Sequence, residues 1–361
     1  MEEQLSNEID LTVCITVYNQ AELVKEFLDE ISICTKNNVE FLISDDCSTE
    51  NIKKLVNSYN NKLIRYIKTE YNRGHDWNIV NGIKQAQGNY VYVFRSRDKL
   101  KINVLDELIS YVKMTQAGYY AFSSVNQIGK TVFSYSDLVY PKGKRAINAH
   151  NKLFVHPSGN LYDKRLIDFS SIEQMLNNYF AHDKFSFVVH DMLRIQLATK
   201  ASIATSRLIA WQYTDTNACN DIAVNSRKDK KSVYDPEIEY KRYRCLYKYI
   251  EDYYSEYEKF FIYKLIKRFF RSIIIDFPKH NKDKNAQKHY AFEQTNYDLL
   301  KEIRCFFSVT RELAINNKLF VTLYLCKLVV EIPFFDIKHE IVCRFGNSSM
   351  FNRVYKVIKR N

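Results

Sequence analysis

LTVCITVYNQ (11–20) and VEFLISDDCST (39–49) decide how the chain is read. In each, a β-branched, apolar run stops at polar turn residues: Tyr18-Asn19-Gln20 in the first, Ser44-Asp45-Asp46-Cys47-Ser48-Thr49 in the second. Runs of this length bounded by turn chemistry are buried strands. Between them, residues 21–33 carry Leu23, Val24, Phe27, Leu28 and Ile31 at the spacing of one helical face. The alternation continues outward. A helix is predicted over 52–59, a strand over 63–67, and a helix over 76–87 closed by Gly88. A fourth strand over 90–94 runs into Arg95-Ser96-Arg97-Asp98. Strands alternating with helices fold as an α/β, mostly parallel, doubly wound sheet. Ligands of such sheets sit beyond the strand C-termini, where all three polar tips fall.

The chain has 361 residues, enough for one large domain or two ordinary ones, and its 46% hydrophobic content can build a core. Eight Gly and five Pro exclude a low-complexity chain. The net charge of +11 lies mostly beyond residue 230, which favours anionic partners. No nucleic-acid reading motif accompanies it, so nucleic acid is not an expected partner. Cys14, Cys34, Cys47, Cys219, Cys245, Cys305, Cys326 and Cys343 form neither CxxC nor a zinc pattern, and read as thiols of a reducing compartment. The first ten residues lack an apolar signal core. The apolar stretch near 319–325 is cut by Lys327, well short of the ~20 residues of a membrane span. The expected location is cytoplasmic or peripheral on the inner membrane face. The polar passage 214–231 reads as a linker. It divides an expected α/β domain, 1–225, from a basic, aromatic-rich helical domain, 226–361.

The first hundred residues resemble the inverting GT-A enzymes of glycosyltransferase family 2. The resemblance rests on TVCITVYNQAELV (12–24), VEFLISDDCSTEN (39–51), YNRGHDWNIVNGIKQAQGNYVYVF (71–94) and RSRD (95–98). The family pattern is a T-Y-N turn, D-D-G-S, an N-R-G loop and a D-x-D-type motif. The first three are present in order, although Cys47 replaces the family glycine. The resemblance implies a Rossmann-like GT-A fold and a nucleotide-diphosphate sugar donor, UDP-linked by expectation. The acceptor it implies is a glycan or lipid-linked hydroxyl of a polysaccharide, glycolipid or cell-wall polymer. It also implies a donor site at Thr16, Tyr18, Asn19, Asp45, Asp46, Asn72, Arg73, Arg95, Arg97 and Asp98. Tyr18 would stack on the base. Asp46, or else Asp45, would accept from base or ribose while its neighbour caps the next helix. Amides and the guanidinium of the Asn72-Arg73-Gly74 loop would reach phosphate or base.

The fourth motif departs from the family. Two arginines stand where carboxylates would hold Mg²⁺ or Mn²⁺, and Asp98 alone remains as a metal ligand. Metal dependence is therefore expected to be weak or absent, with arginine supplying positive charge. Downstream, VHPSGN (155–160) resembles the segment beside the acceptor and sugar, with His156, Ser158 and Gly159 lining the pocket. HDMLRIQLATK (190–200) resembles the family's acidic pair and helix, with Asp191 as catalytic base and His190 beside it. His182-Asp183 is a rival pair. The alternative function is an inactive GT-A-like binding or scaffold protein. Residues 260–274 read as an amphipathic basic helix whose stripe Leu265, Ile266, Phe269, Phe270, Ile273 and Ile274 meets an anionic membrane, a homodimer partner or a protein core.

Overall fold

The computed structural model describes residues 9–36, 38–150, 153, 156–181, 186–214, 235–277 and 297–313. It divides into two compact units, Met1–Asp298 and Leu299–Asn361. In the second, the described residues form one helix, α10 (Leu299–Leu313). The rival pair His182-Asp183 and the polar passage beyond Thr214 lie outside the described residues.

The first unit is built on a sheet of ten strands among the described residues: β1 (Leu11–Val17), β2 (Val39–Asp45), β3 (Ile64–Lys68), β4 (Tyr90–Arg95), β5 (Lys99–Leu100), β6 (Tyr119–Asn126), β7 (Thr131–Phe133), β8 (Leu138–Tyr140), β9 (Asn160–Asp163) and β10 (Ile203–Tyr213). Their order is β3-β2-β1-β4-β9-β6-β10-β5, with β7 on β6 and β8 on β10. The pairs β2–β3, β1–β2, β1–β4 and β6–β10 are parallel. The sequence did not foretell β9, which enters antiparallel to both β4 and β6. It carries the 156–160 loop to the tip of β4.

The helices of the unit are α1 (Ala21–Ile31), α2 (Ile52–Ser58), α3 (His75–Gln85), α4 (Leu105–Thr115), α5 (Lys144–His150), α6 (Phe169–Phe180), α7 (Val189–Lys200), α8 (Pro236–Tyr254) and α9 (Glu258–Phe270). Strand alternation assigns the layers. Val13, Ile15, Val17, Phe41 and Ile43 pack with Val24, Phe27 and Leu28 of α1, Ile52 and Val56 of α2, and Leu105, Leu108 and Val112 of α4. The opposite face receives α3. A side chain at Gly82 would stand 2.4 Å from Cys14 Sγ, so glycine permits that approach. Glu40 on this face is buried but satisfied, accepting from Thr12 Oγ1 at 2.6 Å, Arg65 Nε at 2.5 Å and the Gln87 amide at 2.8 Å.

Helices α8 and α9 belong to the region expected as a separate C-terminal domain, yet they pack within the first unit. α8 lies against α6 and α7, and α9 lies against α8 and α5. The apolar stripe of α9 and the π-helical turn Arg271–Asp276 after it is buried from Leu265 to Ile274. Of the three fates expected for that stripe, the protein core is the one observed. The stripe is therefore no surface for a membrane. Among the described residues, no helix is long and apolar enough to cross a membrane.

Gly88 follows α3 where the chain turns into β4. A Cβ there would lie 2.7 Å from the Thr12 amide nitrogen and 2.8 Å from the Leu11 carbonyl carbon, both backbone atoms that cannot rotate away. Gly88→Ala is expected to destabilise the protein by about 1–3 kcal/mol, read as a lower urea midpoint at unchanged slope. A midpoint equal to wild type would show that the two segments separate freely.

Candidate active site

The turn after β1 is sharp, with Asn19 and Gln20 both in the left-handed region at φ 57° and 66°. Asn19 binds this turn to the next one. Its amide donates to Ser48 Oγ at 2.6 Å, and its Oδ1 accepts from Thr49 N at 2.9 Å. Cys47 stands at φ 60°, which explains why the family carries glycine there. Thr16 donates to the Phe94 carbonyl at 3.2 Å, closing β1 on β4. Tyr18 is half-buried beside this junction.

Asp45 and Asp46 have separate duties. Asp45 Oδ1 accepts from the Ser48 amide at 2.8 Å, and Oδ2 from the Tyr66 hydroxyl at 2.5 Å. Asp46 reaches the Asn72-Arg73-Gly74 loop: Oδ1 accepts from Arg73 N at 2.9 Å and Oδ2 from Gly74 N at 2.7 Å. Neither caps the following helix, contrary to expectation; Asn51 does, through Lys54 N at 3.1 Å. The Arg73 guanidinium lies over the Trp77 ring, 3.5 Å from its centroid.

At the tip of β4, Asp98 is fully buried. Its Oδ2 accepts from Arg95 Nε at 2.8 Å and Ser158 Oγ at 2.5 Å, and its Oδ1 from Thr214 N at 3.0 Å. Arg95 Nη2 also meets His156 Nε2 at 2.9 Å. Burial and the neighbouring Arg95 push His156 well below its ordinary value, so the ring is a neutral acceptor for that guanidinium. His156 stacks on Trp211, ring centroids 5.1 Å apart. Gly159 stands at φ 81°, and a Cβ there would be 2.4 Å from the indole. Thus His156, Ser158 and Gly159, expected beside the acceptor, assemble with the RSRD tip. Ser96 Oγ donates to Gln20 Oε1 at 2.8 Å and joins this cluster to the β1 turn.

This donor set suits a hard dication poorly. Asp98 is the one motif carboxylate, and a guanidinium already occupies one of its oxygens. Among the described residues, no three His, Cys, Asp or Glu side chains group as metal ligands.

The third cluster surrounds the N-terminus of α7. Asp76, which sequence reasoning passed over, caps it: Oδ2 accepts from Val188 N at 2.7 Å, Val189 N at 3.2 Å and Ser186 Oγ at 2.6 Å. A carboxylate one residue into a predicted helix gave no local sign that it served a helix 112 residues away. Asp191 is therefore not the helix cap. It is 3% exposed, accepting from Arg194 Nη2 at 3.0 Å and Arg268 Nη1 at 2.7 Å. Burial pushes its carboxyl up, but Arg268 and Arg194 outweigh burial and hold it at about 2. His190 Nδ1 pairs with the Tyr162 hydroxyl at 2.7 Å. Burial, then His75, lowers His190 to about 3, so it is neutral at ordinary pH.

Several buried side-chain atoms in these three clusters and the turns beside them have no protein partner: Asn72 Oδ1, His75 Nε2, His190 Nε2, Trp211 Nε1 and Thr214 Oγ1. Buried polar atoms in native proteins are nearly always bonded, so such a group marks a place that water or a ligand completes. The His75 and His190 rings are 6.3 Å apart, which links the α3 loop to the α7 cluster.

Residues 12–170 match the model of glycosyl transferase family 2. The abequosyltransferase RfbV of Salmonella typhimurium is 33% identical over 116 residues, 30% of this chain and 34% of that protein. The poly(ribitol-phosphate) beta-N-acetylglucosaminyltransferase TarS of Staphylococcus aureus is 28% identical over 105 residues, 28% of this chain and 18% of that one. The matches thus span about a third or less of these relatives' length. The crystal structure of TarS 1–349 with UDP-GlcNAc superposes with a TM-score of 0.58 at 15% identity, covering 85% of this chain and 83% of that one. The same segment with UDP gives 0.55 at 16% identity, covering 86% and 90%. At such identities the likeness is one of fold, here GT-A. Residues 12–170 are thus similar in sequence to glycosyl transferase family 2, and the architecture that carries them has the GT-A fold.

Proposed function

We propose that this protein is an inverting glycosyltransferase, moving a sugar from a nucleoside-diphosphate donor to a hydroxyl of a polysaccharide or cell-wall acceptor. The observation that carries the reading is the rim of buried, unpartnered polar atoms at the strand C-termini, where a ligand of an α/β sheet sits. The family match supports the reaction class. The solved TarS complexes hold UDP and UDP-GlcNAc, which favours a UDP-linked donor.

In this reading the base lies near Tyr18 and the Asp46-bound loop, and the diphosphate faces Arg95 and Arg97. The Asp191 carboxylate takes the proton of the acceptor hydroxyl as that oxygen attacks the anomeric carbon. The bond from that carbon to the diphosphate breaks, and its electron pair leaves with the nucleotide. Each Asp191 oxygen carries one described hydrogen bond and keeps a lone pair for that proton. The arginines take over the charge-neutralising task that a dication performs in the acidic form of the motif.

Donor binding is expected to persist in EDTA. Among UDP-, GDP-, CDP- and dTDP-sugars, a UDP-sugar should raise the melting temperature in the presence of chelator. Arg95→Ala should weaken that donor about tenfold or more, measured by calorimetry, because a charge-assisted contact and the Asp98 cluster are both lost. Binding that requires added Mn²⁺ would overturn the arginine reading.

Asp191→Asn should reduce transfer by about 10²–10⁴-fold while donor affinity stays near wild type, the signature of a lost general base. The buried double pairing of Asp191 is also what an inactive scaffold would carry. A wild-type protein that binds the donor but neither hydrolyses nor transfers its sugar to any glycan would select that second reading.

A further inference from the structure

Arg268 lies far outside the matched family segment, on α9, yet its Nη1 touches Asp191 Oδ2 at 2.7 Å. The carboxylate is buried, whereas the Arg268 side chain is 43% exposed. The other oxygen is held by Arg194, three residues along the same helix and almost fully buried. Two guanidiniums therefore clamp one carboxylate from two elements.

The two clamps differ in kind. Arg194 shares α7 with Asp191 and moves with it. Its guanidinium carbon also lies 5.8 Å from the Tyr119 ring centre. Arg268 is fixed from outside, because α9 is anchored by Ile266, Phe269 and Phe270, all buried. One charge partner satisfies a buried carboxylate; a second partner on a separate rigid element sets its direction. We propose that Arg268 is a positioning residue for glycosyl transfer, fixing the orientation and ionised state of Asp191 and so making the C-terminal helices part of the transferase site. The proposal rests on the reading of Asp191 as the base.

The charged and titratable groups facing Asp191 come from every element around it. They are His150 of α5, His190 and Arg194 of α7, Tyr119 of β6, Tyr162 of β9, and Arg268 of α9, with Lys264 of α9 acting on His150 beside it. Burial drives the His150 ring well below its ordinary value, so the guanidiniums carry most of the compensating charge. Without Arg268, burial is opposed mainly by Arg194, and the Asp191 carboxyl moves up. The base is then protonated, and idle, at pH values where the wild-type carboxylate is ionised.

The test uses the full chain labelled with carboxyl-¹³C aspartate, the Asp191 resonance being assigned by its loss in Asp191→Asn. In Arg268→Gln the Asp191 titration should move up by about one pH unit or more. The acid limb of kcat should move with it, and kcat at the acid end should fall about tenfold with KM nearly unchanged. Arg268→Lys should return the limb part of the way, which a merely structural role would not do. An Asp191 resonance and acid limb identical to wild type in Arg268→Gln would overturn the proposal. If Arg268→Gln does not fold, Arg268→Lys carries the test alone, since an ammonium lacks the guanidinium fork and an unmoved limb rejects the idea. A shifted resonance together with full transfer by Asp191→Asn rejects the base reading itself, and the positioning role falls with it.

Discussion

The buried carboxylate of Asp98 is the constraint on which the rest of the candidate site depends. It gathers the tip of β4 through Arg95, the 156–160 loop through Ser158, and the end of β10 through the Thr214 amide. These segments are distant in sequence and meet only because β9 lies antiparallel between β4 and β6. A carboxylate without counter-charge could not stay at that depth. The arginine beside it is therefore a structural requirement before it is a chemical one.

A second carboxylate, Asp76, ties this architecture to the start of α7. By capping the first turn of that helix from the first turn of α3, it fixes where His190 and Asp191 stand relative to the strand ends. The first turns of α3 and α7 thus meet, with the His75 and His190 rings 6.3 Å apart. Electrostatics here is local and short-ranged. Most of the charges are neutralised within one contact.

Much of this was legible in the sequence, for a physical reason. Strands β1, β2 and β4 are short apolar runs ending in polar turns, and α1 and α3 follow them with a clear apolar face; both signals are local. The strand-end residues stand out in the sequence because ligands of a parallel sheet bind beyond its strand ends. What escaped was non-local. Asp76 looked like an ordinary first-turn acid of α3. β9 is too short to stand out from a loop. The stripe of α9 announced an amphipathic helix but not the surface that buries it, and Arg268 was one cation among many in a basic region. Likewise Asn51, and not either aspartate of the second tip, caps α2, because tertiary contacts had already claimed both carboxylates.

The chain's two tryptophans are Trp77, beneath the Arg73 guanidinium, and Trp211, stacked on His156. One lies on α3 and the other on β10. Each is buried against a residue of the donor rim, so neither emits from a neutral part of the surface. The protein thereby carries its own optical reporter. Excitation at the red edge, where the 27 tyrosines are silent, interrogates the surroundings of Arg73 and His156 and nothing else.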